Sequence, residues 1–229
     1  MTELIFALDV PDAREADRWV ELLGRDVAWF KVGLELFIRE GAQVVENIAE
    51  KGKNVFLDLK LHDIPRTVER AVAQAASTGA AMMTIHASGG AEMMEAAALS
   101  AASCKNPPKL VAVTVLTSLD AHALGKIGVR RDPRKWAIKL AKEAKDAGVD
   151  GVVSSPGEIK GIKNATGRDF LVVTPGIRMP DSVPDDQKRT ATPAEARRRG
   201  ADFIVVGRPI RDASDPLQAA VNIKKMISD

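Results

Sequence analysis

A single cysteine, Cys104, is all the thiol chemistry in 229 residues. It cannot close an intramolecular disulfide, so a cystine-stapled scaffold is excluded and a reducing compartment is expected. Long apolar runs are missing too, since no stretch approaches the roughly 18 consecutive apolar residues that a bilayer-spanning helix needs. Met1-Thr2-Glu3-Leu4 offers neither the basic start nor the long apolar core of a signal peptide. The expectation is a soluble, cytoplasmic protein that does not associate with membranes. Net charge is almost absent, with 33 Lys and Arg against 31 Asp and Glu, a formal +2. That argues against a nucleic-acid partner or a membrane-surface role and leaves room for a local basic pocket. No low-complexity linker divides the chain, and no His/Cys/carboxylate set is spaced as metal ligands, so neither metal nor cofactor is expected.

What the chain has in quantity is apolar residues, 45% of the total, enough for a large core. They fall into short runs rich in Val, Ile and Phe at 4–9, 28–32, 54–60, 82–86, 110–116, 151–154, 170–174 and 203–206. Helical patterns follow them at 13–23, 36–51, 66–78, 91–103, 133–147, 156–164, 193–199 and 216–227. Near-continuous apolar strands alternating with helices predict a parallel sheet covered by helices. Eight such units in this length suit one closed (β/α)8 TIM barrel, an α/β domain spanning 1–229, better than a doubly wound open sheet. The one long irregular segment, 176–192, is rich in charge and carries Pro180 and Pro184; a loop of that length predicts a functional lid.

Barrel enzymes place their sites at the C-terminal strand ends. Those ends read Leu8-Asp9, Lys31-Val32-Gly33, Asp58-Leu59-Lys60, Ile85-His86, Leu116-Thr117, Ser154-Ser155, Thr174-Pro175-Gly176 and Gly207-Arg208. Any one of these polar groups can serve as a helix cap or a solvated loop residue; their convergence on one rim points to a site. Strand alternation turns Asp58 and Lys60 to one face and Leu57, Leu59 and Leu61 to the other. Charges on the inner face of a barrel are costly unless paired or used, so Asp58, Lys60 and the nearby Asp63 form either a structural ion-pair network or a catalytic cluster. Asp63 has a further reading as the N-cap of the helix that begins near Pro65. After the eighth strand, Gly207 admits a close ligand approach and Arg208 follows, a pattern that suits phosphate at the customary barrel position.

Phe56-Leu57-Asp58-Leu59-Lys60-Leu61-His62-Asp63-Ile64-Pro65 contains a D-x-K-x-x-D-I-P signature, and with it the chain resembles the orotidine 5′-monophosphate (OMP) decarboxylases of bacterial type. The resemblance extends over essentially the whole chain through Ala7-Leu8-Asp9, Phe30-Lys31-Val32-Gly33, Leu116-Thr117-Ser118, Thr174-Pro175-Gly176-Ile177-Arg178, Asp186-Gln187 and Val206-Gly207-Arg208. It implies a cofactor-free decarboxylation of OMP to UMP, the last step of de novo pyrimidine nucleotide synthesis. It implies that Asp9 and Lys31 bind the ribose hydroxyls and that Thr117 reads the pyrimidine edge. Gln187 would bridge pyrimidine and phosphate, with Gly207 and Arg208 holding the phosphate. Ile64, Thr67 and Arg178 are carried over as further substrate contacts. Lys31, Asp58, Lys60 and Asp63 resemble the family's charged tetrad, in which Asp63 comes from the neighbouring subunit of a homodimer. In this reading Lys60 is the cation and proton donor at C6, and the three histidines are supporting residues.

Two rivals stand beside this reading. The 3-keto-L-gulonate 6-phosphate decarboxylases and hexulose phosphate synthases share a D-x-K-x-x-D element but use Mg2+ and a glutamate near the second strand. This chain carries Lys31 there, and Glu35 is expected in the start of the next helix. A catalytically silent phosphate-binding barrel is the other, and it has no need of the buried charges.

Overall fold

The computed structural model describes residues 1–179 and 190–228. Its strands are β1 (Glu3–Leu8), β2 (Trp29–Gly33), β3 (Asn54–Leu61), β4 (Met82–His86), β5 (Lys109–Val113), β6 (Gly151–Val153), β7 (Leu171–Thr174) and β8 (Phe203–Val206). They pair in sequence order, all parallel, and β8 returns to β1 to close the barrel. The connections are α1 (Ala13–Leu23), α2 (Leu34–Glu40), α3 (Gln43–Glu50), α4 (Pro65–Ser77), α5 (Ala91–Ala102), α6 (Ala121–Lys126), α7 (Pro133–Asp146), α8 (Ile159–Thr166), α9 (Pro193–Arg199), α10 (Arg208–Arg211) and α11 (Pro216–Ser228). Among the described residues no helix is long and apolar enough to cross a membrane.

The helix expected over 36–51 is two helices. Gly41, at φ 68, ends α2 in a conformation that side chains rarely adopt, and its N–H bonds back to Phe37 O before α3 restarts. The strand expected to run to 116 stops at Val113. The chain then turns away through a loop and α6, which the sequence reading did not include. Glu35 lies in the first turn of α2, as expected.

Two apolar compartments follow from the strand alternation. Residues facing outward, such as Phe6, Val32, Leu57, Met83, Ala112 and Ile204, pack beneath the helices. Inside the barrel a separate cluster of Ile5, Trp29, Phe56, Met82, Val111, Val173 and Phe203 forms a plug, with Trp29 and Phe203 edge to face at 5.2 Å. Two residues further up β2, β3 and β4 the inner face turns polar, from Trp29 to Lys31, Phe56 to Asp58 and Met82 to Thr84. The polar layer therefore rests directly on the apolar one, at the C-terminal end of the barrel.

Candidate active site

Above the plug opens a cavity of about 500 Å3, within the range that small-molecule sites occupy. Its walls divide by chemistry. The β1–β3 side supplies Asp9, Lys31, Asp58 and Lys60, and the β5 and β6 side supplies Val113, Val115, Leu116, Thr117 and Ser154. The β7 and β8 side supplies Gly176, Arg178, Gly207, Arg208 and Arg211.

The first sector is a row of alternating charges. Lys31 Nζ donates to Asp9 Oδ1 at 2.9 Å and lies 3.9 Å from Asp58 Oδ2. Lys60 Nζ donates to the other Asp58 oxygen, Oδ1, at 2.9 Å. The Lys31 and Asp58 side chains keep only 12% and 14% of their surface, so water screens this pair poorly and each charge depends on its neighbours. Two carboxylates and two ammonium groups balance one another, which permits the burial of Lys31 and Asp58 at the centre of the row.

Lys60 reaches this row by an irregular path. Its φ of 55° is the one positive value outside glycine among the described residues, and such backbone costs ~1–3 kcal/mol. Pairing of β3 with β4 jumps from Leu57↔Met83 to Leu61↔Ile85, so four steps on β3 oppose two on β4. The expected simple alternation along 57–61 is therefore interrupted, although Asp58 and Lys60 do meet in the cavity. The Lys60 N–H, displaced from the ladder, donates instead to Thr84 Oγ1 at 2.7 Å, and Thr84 donates to Asp58 Oδ1 at 3.1 Å.

Most of the residues singled out from sequence line the cavity: Asp9, Lys31, Asp58, Lys60, Thr117, Arg178, Gly207 and Arg208. Asp63, Ile64 and Thr67 do not. They are exposed at the exit of β3 and the start of α4, with Ile64 at 67%. The reading of Asp63 as the N-cap of α4 is corrected. Ile64 holds that position without a side-chain cap, while Asp63 Oδ1 accepts from the Ile64 N–H at 2.7 Å. Gln187 lies outside the described residues. Ile177 and Ala191 form an isolated parallel bridge.

Two polar cavity residues were given no individual role in the sequence reading. Ser154 lies at the rim, and its buried hydroxyl has no hydrogen-bond partner among the described residues. Arg211 stands one turn after Arg208 on α10 and donates to the Asp9 main-chain carbonyl at 3.0 Å. The spacing of three between the two arginines was the available signal, since it places them on one helical face.

His62 and His86 stack at 5.0 Å beside Lys60, and His86 Nδ1 lies 2.8 Å from Ser88 Oγ. Burial, then the neighbouring His62 and Lys60, hold His86 below the ordinary histidine range, which favours the neutral ring. Among the described residues no group of three or more His, Cys, Asp or Glu side chains is arranged to hold a metal ion.

Residues 2–223 match the family described as orotidine 5′-phosphate decarboxylase / HUMPS. The orotidine 5′-phosphate decarboxylase of Trichlorobacter lovleyi is 48% identical over 221 residues, covering 95% of this chain and 92% of that one. The enzyme of the same description from Anaeromyxobacter sp. strain K is 50% identical over 214 residues, with 93% of each chain covered. A crystal structure of orotidine 5′-phosphate decarboxylase from Lactobacillus acidophilus matches with a TM-score of 0.89 at 39% identity, both chains covered in full. With the closed barrel, the rim of paired charges and relatives this similar along nearly the whole length, the chain belongs to the orotidine 5′-phosphate decarboxylase / HUMPS family.

Proposed function

We propose that this protein decarboxylates OMP to UMP, with Lys60 as the cation and proton donor at C6. The observation that carries this reading is the Lys60 ammonium held 2.9 Å from Asp58 inside a cavity whose opposite wall bears Arg178, Arg208 and Arg211. A nucleotide monophosphate fits that polarity, with its phosphate toward the arginines and its base toward Thr117 and Ser154. Asp9 and Lys31 would then meet the ribose hydroxyls. Gly207, at the N-terminal side of α10, leaves its backbone open to the phosphate, and Gln187 and Arg178 are assigned to the same substrate.

The chemistry follows from the charges. Breaking the bond between C6 and the carboxylate releases CO2 and leaves its electron pair on C6, where no adjacent carbonyl delocalises it. An ammonium facing C6 stabilises that charge and then transfers one proton to it, forming the C6–H of UMP; the resulting amine regains its proton from solvent. Asp58 aims Lys60 through their 2.9 Å contact, and it crowds the substrate carboxylate. A positioned general acid contributes ~10²–10⁴-fold, whereas hard reactions demand ~8–23 kcal/mol. The preorganised field and binding at the remote phosphate supply the remainder.

The Mg2+-dependent branch of the family is disfavoured by Lys31. Its ammonium lies between Asp9 and Asp58, where it neutralises the carboxylates that a metal would need. A homodimer with shared sites, in which Asp63, Ile64 and Thr67 reach the partner's cavity, is supported by the exposure of all three. A cytoplasmic location accords with the composition.

The test is OMP turnover by wild type and Lys60→Ala, with and without EDTA. Chelation should leave wild-type activity intact. Lys60→Ala should lose turnover by many orders of magnitude and still bind UMP through the phosphate and ribose contacts. Retention of even a tenth of wild-type turnover would refute the role given to Lys60.

A further inference from the structure

The exit of β3 is held by successive residues of its neighbour β4. Thr84 accepts the Lys60 N–H, Ile85 pairs with Leu61, and the His86 ring stacks on His62. The first of these contacts differs in kind. Thr84 is fully buried, and its one hydroxyl makes two bonds at once, accepting from the Lys60 main chain at 2.7 Å and donating to Asp58 Oδ1 at 3.1 Å. The same Asp58 oxygen takes the Lys60 ammonium at 2.9 Å. Backbone, hydroxyl, carboxylate and ammonium thus form a closed ring through Lys60, and Thr84 is the only member from another strand.

We propose that Thr84 is a positioning residue for the decarboxylation, coupling the left-handed backbone of Lys60 to the carboxylate that aims its ammonium. The inference rests on the reading of Lys60 as proton donor. The physical reason lies in the interrupted ladder. With four residue steps of β3 set against two of β4, the regular pairing is broken at Lys60, and the backbone at φ 55 needs an acceptor to persist. A hydroxyl supplies that acceptor and spends its own proton on Asp58, fixing the carboxylate so that Oδ1 faces Lys60 and Oδ2 faces Lys31. Branching at Cβ restricts the χ1 rotation that would break both bonds together. Valine has the same shape and can make neither bond.

Thr84→Val and Thr84→Ser, compared with wild type and Lys60→Ala, test this. Steady-state OMP decarboxylation, UMP binding and thermal unfolding are measured for each. Thr84→Val should lower kcat by roughly ten- to a hundredfold, the worth of one hydrogen bond to a charged group. KM and UMP affinity should change little, because the phosphate and ribose contacts are untouched. Thr84→Ser restores the hydroxyl and should recover most of kcat. A folded Thr84→Val with wild-type kcat, or one whose loss falls equally on UMP binding, overturns the inference. If Thr84→Val does not fold, Thr84→Cys supplies a weak hydrogen-bonding group of similar size, and wild-type kcat in that variant overturns it equally. Should wild type prove inactive on OMP, or Lys60→Ala remain active, the function proposed above fails and this inference fails with it. An active wild type and an inactive Lys60→Ala confine any failure to Thr84.

Discussion

At the scale of single residues, Gly33 shows how little space the charged row has. Its φ of −96° suits any residue, so its lack of a side chain concerns room and not conformation. A Cβ there would lie 2.7 Å from Lys31 Nζ and 3.5 Å from Asp9 Oδ1. The ammonium is the end of a flexible chain and can swing aside, so Gly33→Ala should leave unfolding stability within about 1 kcal/mol of wild type. Turnover is another matter, because Lys31 then leaves its carboxylates. We expect kcat/KM for OMP to fall roughly tenfold or more, as for loss of a charge-assisted contact. Unchanged kinetics, read beside a thermal melt, would detach Lys31 from the reaction. Asp58 and Lys60 were legible in the sequence because the period of a strand turns them to one face, where charge demands a partner, and Lys31 through its place at a strand end and the family resemblance. Thr84 was not, since a threonine in a strand is ordinary and its role depends on which residue of β3 lies opposite. Nor was the backbone of Lys60, because alternation assumes an uninterrupted ladder.

At the scale of elements, β4 ties β3 to a titratable group. The folded state holds His86 below the ordinary histidine range around 6.5, chiefly through burial. The unfolded chain therefore takes up a proton first as pH falls, and it binds more protons than the native state across that window. Stability from the neutral ring is complete above the ordinary histidine value and is lost as pH drops through it toward the lower folded value. Urea unfolding near pH 8 and near pH 5 should show a smaller pH-dependent loss in His86→Asn than in wild type. Equal losses in the two proteins would show that His86 titrates alike in both states. Boundaries were less legible than the elements themselves. All eight strands stand close to where the apolar runs put them, yet β5 stops early and α6 follows unannounced. The segment after β2 kept its helical period across Gly41, whose left-handed turn breaks it.

For the whole molecule, the count of eight alternating units favoured a closed barrel over an open sheet, while the proposed shared site would use residues that a single chain leaves outside its own cavity. Among the described residues Asp63, which is exposed, bonds only locally, to the Ile64 N–H. If it serves a partner's Lys60, mixing Lys60→Ala with Asp63→Asn subunits places both lesions in one site of each mixed dimer and leaves the other intact. Random exchange makes half the dimers mixed, so about a quarter of all sites should regain wild-type turnover. Activity fixed at the parental average, with exchange verified by mass spectrometry, would assign Asp63 to its own chain. The plug of Trp29, Phe56, Met82 and Phe203 has a consequence for traffic. It closes the barrel beneath the charged layer, so the described walls open only at the strand ends and everything that enters must leave by the same mouth. If OMP is turned over in this cavity as proposed, carbon dioxide is released beneath a nucleotide still seated above it. The gas must slip past UMP or wait for it, and how often it recombines with C6 before escaping depends on which departs first.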